Sequence, residues 1–190
     1  MMNRQDPVPD EALIEAVQEG DRNAAAWLYD RHVDRVHRIC HRIVLDSSQV
    51  PDCVQEVWLK VFRNIDRFQC SKSFAAWLNS VSANTAIDYY RKWIRHSNRI
   101  DKNEICAGAV VTDENPGDRK MDGALIRQRI REALEKISVN QRTAFVLRYY
   151  EDMQVAEIAQ ILGCGKGAVR THISRSLLAL RARLAGKIDV

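Results

Sequence analysis

The segment from residue 155 to residue 175 predicts two helices joined by a tight glycine turn. Ile158, Ala159 and Leu162 give the first helix one apolar face, and Ala159 is small enough for a second helix to cross it closely. Gly163 stands where a left-handed residue ends a helix at the least steric cost. Beyond the turn, apolar residues recur every three or four positions, at Val169, Ile173, Leu177, Leu180 and Leu184. This pattern is a helix-turn-helix, a motif whose second helix enters the major groove of DNA.

The second helix of this motif carries only positive charge. The whole chain has a net charge of +4, but residues 166 to 187 contain six bases and no acid. An ordinary solvated basic helix is the alternative, yet the small residue, the glycine turn and the basic face occur together at the spacing of the motif. We therefore expect DNA contacts from Lys166, Arg170, Thr171, Ser174 and Arg175.

The composition favours an all-α fold of two small helical domains. A chain of 190 residues suits one large domain or two small ones, and its few prolines and many Ala, Leu, Arg and Glu residues favour helices. Glycine, proline and acidic residues interrupt the chain between residues 101 and 122 without apolar periodicity. This predicts a flexible linker at 99–122 between a domain at 1–98 and a domain at 123–190 that contains the helix-turn-helix.

Several classes of protein are not expected from this sequence. No apolar run resembles a membrane span and the first twenty residues lack a signal-peptide pattern, so a cytoplasmic location is predicted. The five cysteines are scattered and form no Cys-x-x-Cys pair, which argues against a disulfide framework or a four-cysteine zinc site. We expect no cofactor and no bound metal.

The N-terminal half predicts four helices: one at about 11–19 with Asp10 as its cap, one at 22–45, one at 51–63, and a fourth that Ser73 caps and that runs to about residue 95. In the second helix, we expect burial of Ala26, Trp27, Tyr29, Val33, Val36, Ile39, Cys40 and Ile43.

The third helix of this half has two contrasting faces. An apolar stripe consists of Val54, Val57, Trp58, Val61 and Phe62. The opposite face carries Asp52, Gln55, Glu56 and Lys60. Its acidic groups do not suit DNA phosphates and would suit a basic protein surface, although an ordinary solvated face is the simpler interpretation from these residues alone.

The end of the fourth helix interleaves aromatic and basic residues. The segment contains Asn84, Asp88, Tyr89, Tyr90, Arg91, Lys92, Trp93 and Arg95. Aromatic faces stack on unpaired bases while cations hold the backbone, so we expect Arg91 and Lys92 to contact DNA. The sequence leaves open whether the three rings of this segment face DNA or pack in the core.

Taken together, the two halves resemble the extracytoplasmic-function (ECF) sigma factors, the small two-domain initiation subunits of bacterial RNA polymerase. The resemblance covers nearly the whole chain. It depends on the segments 52–59, 62–63, 74–78, 83–91, 134–137, 141–142, 147–148, 157–159, 162–163, 167–170 and 180–181.

The resemblance implies a role for each surface. Asp52, Gln55 and Glu56 match residues that contact the clamp helices of the polymerase β′ subunit, and the β subunit is a further implied contact. Phe68, Ser71, Lys72 and Asn84 match a pocket for a base flipped out of the promoter element nearest the start site. The basic helix matches the reader of the more distant promoter element. The resemblance further implies that the chain is not an enzyme and that an anti-sigma factor, a partner type with membrane-tethered forms, controls it.

Two alternatives remain at this point. A conventional helix-turn-helix regulator would bind duplex DNA without polymerase and use its N-terminal half as a sensor. A metal- or redox-responsive sensor would instead use His37, Cys40 and His41, which share overlapping helix faces, with His32 nearby in sequence.

Overall fold

A computed structural model describes residues 8–69, 73–100 and 120–184 of the chain. Every regular element in these ranges is helical, which confirms the predicted all-α fold class. The α-helices are α1 Asp10–Gln18, α2 Arg22–Val44, α3 Val50–Asn64, α4 Phe74–Ile100, α5 Lys120–Glu135, α6 Val139–Tyr149, α7 Val155–Leu162 and α8 Lys166–Leu184, with a short 3₁₀ helix at Ile65–Arg67 after α3. Most of the predicted linker, residues 101–119, lies outside the described residues.

Local capping explains where several helices begin and end. The carboxylate of Asp21 accepts hydrogen bonds from the backbone N–H groups of Asn23 and Ala24, at 2.7 and 3.3 Å, and so caps α2. Ser138 and Gln141 form a reciprocal capping box at the start of α6. The sequence predicted Asp10 as the cap of α1, and this prediction is wrong. The helix begins at Asp10 itself, and Pro9 occupies the N-cap position.

The buried face of α2 differs from the prediction in its first turns. Ala24 and Leu28 are buried there, whereas Trp27 and Tyr29 are 49% and 38% exposed. Ala26 is exposed as well. The buried residues of α2 recur every four positions from Ala24 and Leu28 to His32, Val36 and Cys40. The prediction was wrong in the first turns because it assigned the large aromatic side chains to the core by their residue type. Tyr29 nevertheless covers the core from outside, because its ring lies 4.9 Å from that of Trp58.

The helices α1–α4 pack against the helices α6–α8. One core cluster joins residues of both groups, including Val36 and Leu78 from the first and Leu147 and Ile158 from the second. A second cluster joins Leu45, after α2, to Ala133, Leu134, Phe145, Val146 and Leu180. No helix in the described part of the chain is both long enough and apolar enough to span a membrane.

Charged side chains line the contact between the two groups of helices. The Glu151 carboxylate lies 3.2 Å from the Arg35 guanidinium, and only 4% of the Glu151 side chain is exposed. The Arg42 guanidinium lies 4.0 Å from the centre of the Tyr150 ring. Burial raises the pKa of Glu151, and the neighbouring arginines of α2 partly offset this effect. The two helix groups therefore meet through ionic and aromatic contacts as well as through apolar ones.

Candidate nucleic-acid and protein interfaces

The helix-turn-helix consists of α7, a turn at Gly163, and α8. Gly163 ends α7 in the left-handed conformation, with φ of 60°, and the backbone N–H of Cys164 donates to the carbonyl of Ala159 at 3.0 Å. Ile158 and Ala159 are buried, as is Val169 on α8. These apolar contacts fix the angle of α8 and leave its opposite side in solvent.

The solvent-facing side of α8 carries all five predicted DNA-binding residues of this helix. Each is exposed, and their places at i, i+4, i+5, i+8 and i+9 along one helix group them on one broad face: Lys166, Arg170, Thr171, Ser174 and Arg175. The Thr171 hydroxyl donates to the carbonyl of Gly167 at 3.1 Å. This face offers cations and hydroxyl groups to a ligand of negative charge, which is the chemistry that phosphates and base edges require.

The outer face of α3 is acidic at one end and apolar at the other. Asp52 and Gln55 are exposed, and the half-buried Glu56 carboxylate lies 3.3 Å from Lys60 Nζ and 3.9 Å from Lys92 Nζ. Leu59, which is 48% exposed, follows Asp52 by seven residues and lies on the same face. The sequence prediction omitted Leu59, although its position among polar residues of one helical face was a readable signal.

The connection between α3 and α4 is built on a cluster of aromatic rings. Phe68 is 8% exposed, and its ring lies 5.6 Å from that of Phe74 and 5.1 Å from that of Trp77. Its ring is therefore a packing element, so a contribution of Phe68 to a base pocket would come from its backbone. Asn84 is exposed on α4. Ser71 and Lys72, also predicted to contact DNA, lie outside the described residues.

The aromatic and basic end of α4 contacts both α3 and α6. The Tyr89 hydroxyl donates to Gln49 Oε1 at 3.1 Å. Burial raises the pKa of Tyr89, and the negative charge of the nearby Asp52 carboxylate raises it further. The Tyr90 ring lies against the guanidinium of Arg142 on α6, at 4.7 Å. The Arg91 guanidinium donates to Asn140 Oδ1 at 3.1 Å.

These contacts answer the question that the sequence left open for two of the rings. Tyr89 and Tyr90 both pack against protein groups in this arrangement. Of the two predicted cations, Arg91 is engaged by α6, while Lys92 remains exposed beside Glu56.

The histidine and cysteine group of α2 is not brought together as one site. Cys40 is fully buried in the core, whereas His37 is exposed, and the His37 and His41 rings stack with their centres 6.1 Å apart. A hydrogen bond with Cys53 and burial raise the pKa of the Cys40 thiol. Within the described residues, no group of three or more His, Cys, Asp or Glu side chains has the geometry to hold a metal ion.

Helices throughout the described residues, a helix-turn-helix with a basic outer face on α8 and a separate mixed-charge face on α3 fit a protein of the sigma-70 class. Residues 28–95 match the Sigma-70 region 2 model, and residues 127–180 match the Sigma-70 region 4 model. The chain is 33% identical over 177 residues to the ECF RNA polymerase sigma-E factor of Escherichia coli strain K12, covering 90% of this chain and 92% of that protein. The chain belongs to the family of ECF RNA polymerase sigma factors.

Two solved structures share this fold over most of both chains. The sigma factor RpoE of Bartonella quintana, solved with the anti-sigma factor NepR, aligns with a TM-score of 0.67 and 19% identity, covering 84% of this chain and 95% of that one. CnrH, solved with the cytosolic domain of CnrY, aligns with a TM-score of 0.64 and 22% identity, covering 94% of this chain and 98% of that one.

Proposed function

We propose that this chain is a promoter-specificity subunit that binds bacterial core RNA polymerase, recognises and melts one class of promoter, and performs no catalysis itself. The observation that carries the proposal is the separation of two exposed surfaces of different character. The α8 face is basic and suits phosphates and base edges. The α3 face presents the Asp52 carboxylate, the Gln55 amide and the apolar side chain of Leu59, with Glu56 paired to lysines, and this mixture suits a protein surface. Because core polymerase works in the cytoplasm, the chain acts there.

Each part of the chain has its own role in this proposal. Residues 1–98 dock on the β′ clamp helices through Asp52, Gln55 and Glu56 and recognise the promoter element nearest the start site. Residues 123–190 read the distant element through α8 and lie near the β subunit. Residues 99–122 connect the two domains.

Promoter melting is assigned to the connection between α3 and α4 together with Asn84. Flipping one base out of a duplex costs about a few kcal/mol of lost stacking and pairing. A pocket that binds only one base type recovers this free energy for that base alone, so melting and sequence choice are coupled. Asn84 is exposed, and its side-chain amide can both donate and accept hydrogen bonds with a base edge.

Control by an anti-sigma factor is also part of the proposal. RpoE and CnrH, which share this fold, were solved as complexes with NepR and with the cytosolic domain of CnrY. An equivalent partner, including one tethered to a membrane, would cover the docking surfaces of this chain and keep it from polymerase. If a purified one-to-one complex of this chain with its inhibitor bound core polymerase as tightly as the free chain does, this occlusion mechanism would be wrong.

Run-off transcription with purified core polymerase on a library of promoter fragments tests the proposed function. The intact chain should direct initiation from a defined promoter class, and both Asp52→Arg and Arg170→Ala should abolish it. Glu19→Arg and Arg22→Ala are matched controls, because these charged residues are exposed outside both surfaces. If no fragment gave a transcript while the protein alone bound duplex DNA tightly, the chain would instead be a conventional regulator.

A further inference from the structure

The aromatic and basic end of α4 is occupied by the first turn of α6. The Arg91 guanidinium donates to Oδ1 of Asn140, the second residue of α6, at 3.1 Å. Two residues further along α6, the Arg142 guanidinium lies 4.7 Å from the centre of the Tyr90 ring. Two neighbouring residues of α4, one aromatic and one cationic, are therefore both engaged by one short stretch of α6.

The groups that α6 engages are those that single-stranded DNA would use. Unpaired bases stack on aromatic rings, and cations hold the phosphates between them. The guanidinium of Arg142 lies over the ring of Tyr90, where a base would stack. The amide oxygen of Asn140 takes a donor of Arg91 that a phosphate oxygen would accept. A single strand and α6 thus compete for the same two side chains.

A second set of contacts fastens the other end of α6 to α2. Arg35 Nε lies 3.2 Å from Glu151 Oε2, and the Arg42 guanidinium lies 4.0 Å from the centre of the Tyr150 ring. Tyr150 and Glu151 directly follow the last residue of α6. The start of α6 is therefore held by α4 and its end by α2, an arrangement that we call the closed state.

The polar part of this contact suits release. Burial raises the pKa of the Glu151 carboxyl and lowers the pKa of the Arg142 guanidinium, and the neighbouring groups offset each effect only in part. Buried charges without full compensation make a contact less stable than apolar side chains of similar size would. The closed state is thus weaker than an entirely apolar interface of the same extent.

We propose that α6 covers a binding site for single-stranded DNA at Tyr90 and Arg91, which becomes available when α6 leaves α4. The inference rests on the proposed function, in which the chain melts a promoter and so meets unpaired strands. The basic face of α8 is exposed in the closed state, so contacts of that face with duplex DNA are not controlled in this way.

Arg35→Glu is the most informative variant, because it adds negative charge to the protein and yet should strengthen binding to DNA. It sets a carboxylate against Glu151 and so weakens the closed state without touching α4 or α6. Arg22→Glu is the matched control, since it makes the same change of charge at the exposed first residue of α2, about 20 Å away along the helix.

Asn140→Ala is a second variant, which removes the acceptor of Arg91 at a half-buried position and leaves the apolar core intact. It tests the same inference if circular dichroism shows that Arg35→Glu does not fold.

The measurement is a titration of the full chain, without polymerase, into a fluorescent single-stranded oligonucleotide of random sequence and into the matching duplex, at one salt concentration. Arg35→Glu should bind the single strand about fivefold more tightly, because the closed fraction falls when the ion pair becomes a repulsion. Asn140→Ala should gain about twofold for one lost hydrogen bond. Arg22→Glu should gain nothing, and no variant should gain affinity for the duplex.

Two further measurements locate the gain. Adding Arg91→Ala to Arg35→Glu should remove it, because Arg91 is then no longer available to hold a phosphate. Small-angle X-ray scattering should give a larger radius of gyration for Arg35→Glu than for the wild type.

Three outcomes would overturn the inference. Unchanged single-strand affinity in the folded variants would show that α6 does not compete with DNA. A gain that persisted in the variant with Arg91→Ala would place the binding site elsewhere, and an equal gain for the duplex would show a general effect on all DNA binding. If the wild type failed to initiate with core polymerase, the proposed function would fail, whereas the oligonucleotide titrations would still decide whether α6 covers α4.

Discussion

Replacing Arg142 with methionine should stabilise the protein, although it removes a large and fully buried side chain. Arg142 is 1% exposed, and its three guanidinium nitrogens make no hydrogen bond of good geometry with a described residue. Burial lowers the pKa of this guanidinium, and Tyr90 and Glu135 offset the effect only in part. The charge therefore lies between the two helix groups without full compensation.

The size of the effect follows from two opposing contributions. A buried unsatisfied group costs about 1–3 kcal/mol, and more when it is charged. The contact with the Tyr90 ring at 4.7 Å returns about 0.5–2 kcal/mol. Methionine keeps an unbranched apolar stem that fills the same space. We expect a net gain of about 1 kcal/mol, which raises the melting temperature by roughly 2–4 °C in a chain of this size.

Arg148→Met on the same helix is the matched control and should have the opposite sign. Arg148 Nη1 donates to the carbonyl of Met153 at 3.1 Å, and this bond to a charged donor is lost in the variant, at a cost of about 1.5–3 kcal/mol. Urea denaturation of the three proteins at neutral pH measures both changes. If Arg142→Met were destabilised as much as Arg148→Met, the Arg142 guanidinium must be well satisfied, and the account of this contact would be wrong.

Three further predictions concern single sites. Burial raises the pKa of the Glu151 carboxyl above its ordinary value of 4.5, so with rising pH this group loses its proton in the unfolded chain before it does so in the folded one. The stability of the wild type relative to Glu151→Gln should therefore fall as the pH rises from 4.5 through the folded-state pKa. Urea denaturation at a series of pH values measures this difference, and a constant difference would contradict the prediction. Gly163→Ala should cost about 1 kcal/mol, since φ is positive while a Cβ would meet no atom within 4 Å, and Gly165→Ala, which has equal space and no positive φ, should be near neutral in the same denaturation assay. Leu59→Ala should weaken binding to core polymerase by about 1 kcal/mol in a titration and leave the stability of the chain unchanged, because Leu59 is exposed on α3. If the variant bound core polymerase as tightly as the wild type, Leu59 would not be part of the docking face.

Helix positions were largely predictable from the sequence because their signals are local. The glycine end of α7 and the Ser138 cap of α6 depend on residues within one or two turns, and both occur as their residue types suggest. The apolar stripe of α3 was also readable, since its period of three and four residues is uninterrupted. Family resemblance then extended the local signals to the whole chain.

Contacts between distant residues were not predictable in the same way. The buried face of α2 was misplaced because Trp27 and Tyr29 are apolar by type but exposed by position. Asp10 has the residue type of a helix cap, yet its carboxylate pairs with α2, 21 and 22 residues away. The burial of Arg142 depends on the packing of α6 against α4. Each depends on the relative placement of helices, which no short sequence window contains.

The dependence of promoter binding on polymerase tests the central claim most directly. The measurement is the affinity for a labelled promoter duplex of the chain alone, of core polymerase alone, and of the two together, at one fixed salt concentration. The account predicts tight, promoter-specific binding only when both proteins are present, with opening of the DNA near the start site. Equally tight and specific binding by the chain alone, unaffected by core polymerase, would contradict it.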